Sequence, residues 1–155
     1  MTQNPNNQRH IFLVDDDQED RELFAEALSC VSDSNVKFTE ISSAAMLIEN
    51  LNDPLTSAPE LIFMDINMPK ISGIDCLKKL KGKDGKFNQL NVVMYSTYSN
   101  ADDIKEAFQQ GASRYYVKPT LFDHLKELIS GALDINWNKI GGKSRENFFV
   151  DYGLI

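Results

Sequence analysis

Five short apolar segments punctuate the chain, and helical periodicity fills the intervals between them. Ile11-Phe12-Leu13-Val14 and Leu61-Ile62-Phe63-Met64 are unbroken apolar runs, the pattern of strands covered on both faces. Val36–Ile41 alternates like an edge strand, and Val92-Val93-Met94-Tyr95 and Arg114-Tyr115-Tyr116-Val117 complete the set. Leu23, Phe24, Ala27, Leu28 and Val31 recur at helical spacing over about Gln18 to Val31, with Asp17, Glu19 and Asp20 suited to the amino-terminal turn. Ala44, Leu47, Ile48 and Leu51 mark a short second helix. A third is expected over Gly73 to Lys81, with Ile74 and Leu77 inward and a loop from Gly82 to Gln89. Asn100 can cap a fourth, where Ile104, Ala107 and Phe108 face the core and Gly111 stops the helix. Thr120 and Asp123 can begin a fifth, with Leu121, Leu125, Leu128 and Ile129 as its apolar stripe. Strand and helix alternate five times, which predicts an α/β fold with a five-stranded parallel sheet, doubly wound.

Residues 1–8 are polar and expected to be disordered, and residues 134–155 fit no repeat. That extension carries Trp137, Phe148, Phe149, Val150 and Tyr152. So apolar a segment is read as packing on its own domain, the alternative being an arm exchanged in a dimer or docked on a partner.

The 155 residues suit one domain, here 9–133 plus the extension. A net charge of -7 opposes non-specific nucleic-acid binding, which needs a basic footprint. No apolar run approaches the roughly 20 residues of a membrane span, and the polar start is unlike a signal peptide. Cys30 and Cys76 have no metal-type spacing and read as buried free thiols in a reducing cytoplasm. Lys78, Lys79, Lys81, Lys83 and Lys86 form a basic run, read as a solvated face, with partner docking as the alternative. His10 and His124 show no nucleophile or metal partner and read as structural or surface groups.

The chemistry gathers at the strand ends, where ligands bind in open α/β sheets. The first strand ends in Asp15-Asp16-Asp17, the third in Asp65, the fourth in Ser96-Thr97 and the fifth in Lys118. Crowded carboxylates repel one another, and oxygen ligands favour a hard cation such as Mg²⁺. Lys118 and the Ser96 hydroxyl could steady the oxygens of a phosphoryl group, and Asp65 could attack phosphorus to form an aspartyl phosphate. Taken singly, each has a plainer reading: a solvated helix start, a turn aspartate, a cap or a surface charge.

Phe12-Leu13-Val14-Asp15-Asp16, Leu61 to Asp65 with Met68-Pro69 and Gly73, Val92 to Ser96, and Gly111-Ala112-Ser113 through Tyr115-Tyr116-Val117-Lys118-Pro119 together resemble the receiver domain of two-component response regulators. The match runs from about residue 10 to 133. The resemblance implies a flavodoxin-like sheet of order 2-1-3-4-5. It implies Asp65 as phosphoacceptor, charged by a sensor histidine kinase or phosphotransfer protein. Asp15, Asp16, Asp65 and the Asn67 backbone carbonyl would hold Mg²⁺ or Mn²⁺. Ser96 would be the switch hydroxyl, Tyr115 the aromatic that reorients with it, and Lys118, before a cis Pro119, the phosphoryl's ion-pair partner. Counting back from Lys118 favours Ser96 over Thr97.

Thr97 and Tyr98 would lie at the phosphate rim, and Tyr98, two residues past Ser96, is bulky for a position that in this family borders the attacking water, so it could slow hydrolysis. The 22 residues beyond the receiver are too few for a helix-turn-helix output domain. The output expected is a protein contact, on the face of the fourth helix, fifth strand and fifth helix, or onward phosphotransfer, by a monomer or homodimer in the cytoplasm. No enzyme activity is expected beyond the chain's own phosphorylation and dephosphorylation. Two rivals remain: a pseudo-receiver that binds partners without phosphorylation, and a haloacid-dehalogenase-type phosphatase using Asp15-x-Asp17. The second leaves Asp65 without a role and lacks an acidic pair after Lys118.

Overall fold

A computed structural model describes residues 8–82, 85–139 and 145–154. The expected disorder of the amino-terminal segment falls almost entirely outside these residues, as does Lys83 of the basic run. The elements are β1 (Arg9–Val14), α1 (Gln18–Val31), β2 (Val36–Ile41), α2 (Ala44–Asn52), β3 (Leu61–Met64), α3 (Gly73–Leu80), β4 (Val92–Ser96), α4 (Ala101–Gln109), β5 (Arg114–Val117), α5 (Phe122–Leu133), α6 (Arg145–Phe148) and β6 (Phe149–Val150). A 3-10 turn, Tyr152–Leu154, follows.

The sheet is parallel, with order β2-β1-β3-β4-β5-β6. It has six strands, which corrects the expectation of five. The added strand lies in the extension, where two residues are too few to show alternation in sequence. It pairs Phe149 with Tyr115 and Val150 with Tyr116. Part of the face expected for output, along β5, is therefore occupied by the chain itself.

The sheet is covered on both sides, which is why β1, β3 and β4 read as continuous apolar runs. One layer packs Phe12, Val14, Met64 and Met94 beneath α2, α3 and α4. The other packs Leu13, Phe63, Val93 and Tyr95 beneath α1 and α5. Trp137 closes the second layer and donates from Nε1 to the Ala132 carbonyl at 3.0 Å, and Phe148 is buried in the first. Buried His10 bridges the far end of the sheet, its ring nitrogens 2.8 Å from the Ser57 carbonyl and 2.6 Å from Thr39 Oγ1.

Local signals set most helix starts. Asp17, Ser43, Ser72 and Asn100 each accept a backbone N–H at the head of α1, α2, α3 and α4. Helix α5 differs: Leu121 is its N-cap and makes no side-chain cap bond, so Thr120 is not the cap. Leu121 thus precedes the helix and is 57% exposed instead of joining the stripe. Leu23 is 47% exposed and Cys30 is also exposed, because both lie off the buried Phe24-Ala27-Leu28 line of α1. Gly111 ends α4 with φ +100, a conformation that favours glycine. No helix among the described residues is long and apolar enough to cross a membrane.

Candidate phosphoryl-transfer site

Ladder bonds continue one residue past the central strands and set the site. Asp15 N–H donates to the Ile41 carbonyl at 2.9 Å, Asp65 N–H to Val14 at 2.9 Å, and Lys118 N–H to Ser96 at 2.8 Å. Asp15, Asp65 and Lys118 are thereby presented at one rim of the sheet. The approach of α3 is equally close. A Cβ at Gly73 would lie 2.0 Å from the Asp65 carbonyl oxygen, so only glycine lets the helix start there. Between them, Lys70 adopts φ 71, a left-handed conformation uncommon for a side-chain-bearing residue.

Oxygens of Asp15, Asp16 and Asp65 lie within 4.8 Å of one another; Asp15 and Asp65 are buried and Asp16 is exposed. Lys118 Nζ faces them, 2.7 Å from Asp15 Oδ2, 2.8 Å from Asp20 Oδ2 and 3.5 Å from Asp65 Oδ2, and 5.3 Å from the Tyr95 ring centroid. Burial lowers the proton affinity of that ammonium, but the bonds to Asp15 and Asp20 and the charge of Asp65 outweigh it, so Lys118 stays cationic. Burial pushes the Asp65 carboxyl up to about 7, Lys118 opposes this and Asp15 adds to it. Three crowded carboxylates that offer oxygen ligands alone have the chemistry of a site for a small divalent cation.

The remaining expected residues divide. Ser96 is buried at the end of β4, where its Oγ accepts the Tyr98 amide at 3.1 Å, whereas Thr97 is exposed. Tyr115 is fully buried, and its hydroxyl donates to the Tyr98 carbonyl at 2.6 Å. The Tyr98 side chain is 58% exposed. Asn67 is exposed, and its backbone amide bonds the Asp65 carboxylate. Asp17 caps α1. The expected cis bond is corrected: no cis peptide occurs among the described residues, and Lys118–Pro119 takes the intrinsically favoured trans form.

Two participants were not anticipated. Asp20 reads in sequence as a helix-dipole residue, yet one turn into α1 it reaches the Lys118 ammonium. Arg21 Nη1 donates to the Asp15 carbonyl at 2.7 Å and its Nε lies 3.7 Å from Glu40 Oε1, so it braces the acidic loop. The only sequence signal for either is proximity to Asp15.

A family model described as the response regulator receiver domain matches residues 11–130. The probable methanogenesis regulatory protein FilR2 of Methanothrix harundinacea is 26% identical over 88 residues, 56% of each chain, so this chain spans little more than half of that relative. The chemotaxis protein CheY of Bacillus subtilis is 30% identical over 124 residues, 80% of this chain and 97% of that one. Among solved structures, the phosphorylated cyanobacterial phytochrome response regulator RcpA superposes with a TM-score of 0.76 at 26% identity, covering 88% of this chain and 99% of its own. With the match spanning both acidic strand ends and Lys118, this chain belongs to the response regulator receiver domain family of two-component systems.

Proposed function

We propose that the chain is a phosphoryl-accepting receiver in which Asp65 is the acceptor. The observation that carries this reading is a buried Asp65 carboxylate set among Asp15, Asp16 and the Lys118 ammonium at one rim. An Asp65 oxygen attacks the phosphorus of a phosphohistidine on a sensor kinase or phosphotransfer protein. The P–N bond breaks, the imidazole leaves, and a mixed anhydride remains on Asp65. Attack by water later releases inorganic phosphate and restores the carboxylate. Apart from this self-directed chemistry the chain is not an enzyme.

Asp15, Asp16, Asp65 and the Asn67 backbone carbonyl would hold Mg²⁺ or Mn²⁺, which when bound neutralises charge on the reacting oxygens. Lys118 places a second positive charge beside the phosphoryl group, and the Ser96 hydroxyl donates to one of its oxygens. The readout is a phosphorylation-dependent protein contact or onward transfer in the cytoplasm. The net charge of -7 favours protein partners over nucleic acid.

The test is chemical localisation. The protein is incubated with Mg²⁺ and a small acyl phosphate, reduced with borohydride and peptide-mapped. Conversion of residue 65 to homoserine is expected. Labelling at another aspartate would overturn the assignment.

A further inference from the structure

Tyr115 links two things that lie far apart in sequence. On one side its hydroxyl donates to the Tyr98 carbonyl, and the Tyr98 amide donates to Ser96 Oγ. On the other its ring lies 6.1 Å, centroid to centroid, from Phe149, its register partner on β6. The described extension from Arg145 to Leu154 therefore forms a strap along the β5 edge, and Tyr115 is shut in beneath it.

The strap is seated at three separate points. Phe148 is buried, edge-on to Phe108 of α4 at 5.1 Å. Arg114 Nη1 donates to the Asn147 carbonyl. Tyr152 lies over α5 at Gly131, where a Cβ would come within 2.6 Å of the tyrosine oxygen. Glycine inside a helix weakens it, and here it supplies the seat for Tyr152. Side chains on both faces of the sheet and a residue of the helix beyond are thus shaped to receive the strap.

We propose that the strap regulates the Asp65 site by locking Tyr115 inward, which holds the Ser96–Tyr98 turn in the arrangement that receives a phosphoryl group. Ser96 Oγ accepts the Tyr98 amide, so the position of that turn sets where the hydroxyl sits. Without β6, Tyr115 stands on an edge strand with a route to solvent, and the Tyr98 carbonyl loses its donor whenever the ring leaves. Affinity then falls by the fraction of molecules with the ring out. Coupling is reciprocal, so a phosphoryl mimic tightens the strap. The inference rests on the reading of Asp65 as the acceptor only for its binding arm.

The test uses the full chain, wild type and two variants. Phe149→Ala removes the ring against Tyr115. Gly131→Ala displaces Tyr152 at the far end of the strap while improving helix propensity in α5. Two quantities are measured: affinity for beryllofluoride with Mg²⁺, and amide hydrogen exchange over Ser96–Asn100 without any ligand. The expected result is a three- to tenfold loss of affinity in Phe149→Ala, a smaller loss in Gly131→Ala, and faster exchange in that turn in both. Unchanged or increased affinity, with unchanged exchange in Gly131→Ala, overturns the proposal. If the wild type binds no beryllofluoride, the acceptor reading fails instead. The exchange arm then decides the strap's coupling: acceleration upholds it, and no acceleration overturns it. Should Phe149→Ala fail to fold, Gly131→Ala carries both measurements.

Discussion

Lys118 Nζ lies closer to Asp15, at 2.7 Å, than to Asp65, at 3.5 Å. The lysine thus leans on the metal-type carboxylates and away from the proposed acceptor. It neutralises part of a cluster of three acids that would otherwise repel one another. A divalent cation held by Asp15, Asp16 and Asp65 would take over that neutralisation, and Lys118 would then be available to a phosphoryl oxygen.

Replacement of the lysine tests this directly. Lys118→Met leaves buried Asp15 facing Asp65 without the ammonium that lies against both carboxylates. Breaking a buried pair from one side costs about 3–5 kcal/mol; here Asp20 is half-buried and Asp16 exposed, so a loss of about 2–3 kcal/mol is expected without metal. Mg²⁺ should restore much of it. Urea unfolding in EDTA and in Mg²⁺ measures both, and equal stability of variant and wild type in EDTA would refute the charge-balancing role.

The Asp65 carboxyl gives a pH signature with a definite sign. Its folded value, about 7, lies above the ordinary 3.8. As pH rises through 4 the unfolded chain releases this proton while the folded one keeps it until about 7. Asp65 therefore makes the metal-free protein lose stability as pH rises across that window, and not beyond it. Asp65→Asn removes the slope. The variant should equal the wild type near pH 4 and exceed it at pH 8 by on the order of 2 kcal/mol. That is less than the roughly 4 implied by the full shift at 1.36 kcal/mol per unit, because Lys118 and Asp15 readjust once the charge is gone. Chemical denaturation in EDTA at the two pH values decides it; a wild type more stable than the variant at pH 8 would reverse the sign.

Gly73 is a structural requirement of the site. A methyl group there meets backbone, the Asp65 carbonyl at 2.0 Å, and not a side chain that can swing away. Gly73→Ala should cost at least about 2 kcal/mol, at the upper end of overpacking effects. It should also weaken Mg²⁺ binding, since α3 must retreat from the loop carrying Asn67. Thermal melts together with calorimetric Mg²⁺ titration report the two consequences, and a variant with wild-type melting temperature would show that α3 can shift freely.

Tyr98 links the turn after β4 to solvent. Its backbone contacts Ser96 and Tyr115 while its side chain stays largely exposed beside the rim. We expect the ring to shield the acyl phosphate from water. Tyr98→Ala keeps the backbone bonds and should speed loss of the phosphoryl group severalfold, measured as phosphate release after donor removal. An unchanged rate would remove the shielding role.

Much of this architecture was legible in the sequence because its signals are local or unavoidable. Buried parallel strands must be apolar on both faces, so the β1 and β3 runs announced themselves, and a carboxylate following such a run has one place to go. Asn100 capped the helix it was expected to cap. What escaped depends on the third dimension. Asp20 meets Lys118 across 98 residues, and no spacing encodes that. Phe149-Val150 becomes a strand only because β5 offers an edge beside Tyr115 and Tyr116. Leu121 carries an apolar label yet lies outside the helix, because α5 begins one residue later than the stripe implied.

The central claim is that Asp65 takes up one phosphoryl group with the help of a divalent cation. Intact mass after incubation with Mg²⁺ and a small phosphodonor tests it, beside Asp65→Asn and an EDTA control. The account predicts a gain of one phosphoryl group in the wild type alone, abolished by EDTA and absent in the variant. No gain in folded wild type, or an equal gain in Asp65→Asn, would contradict it.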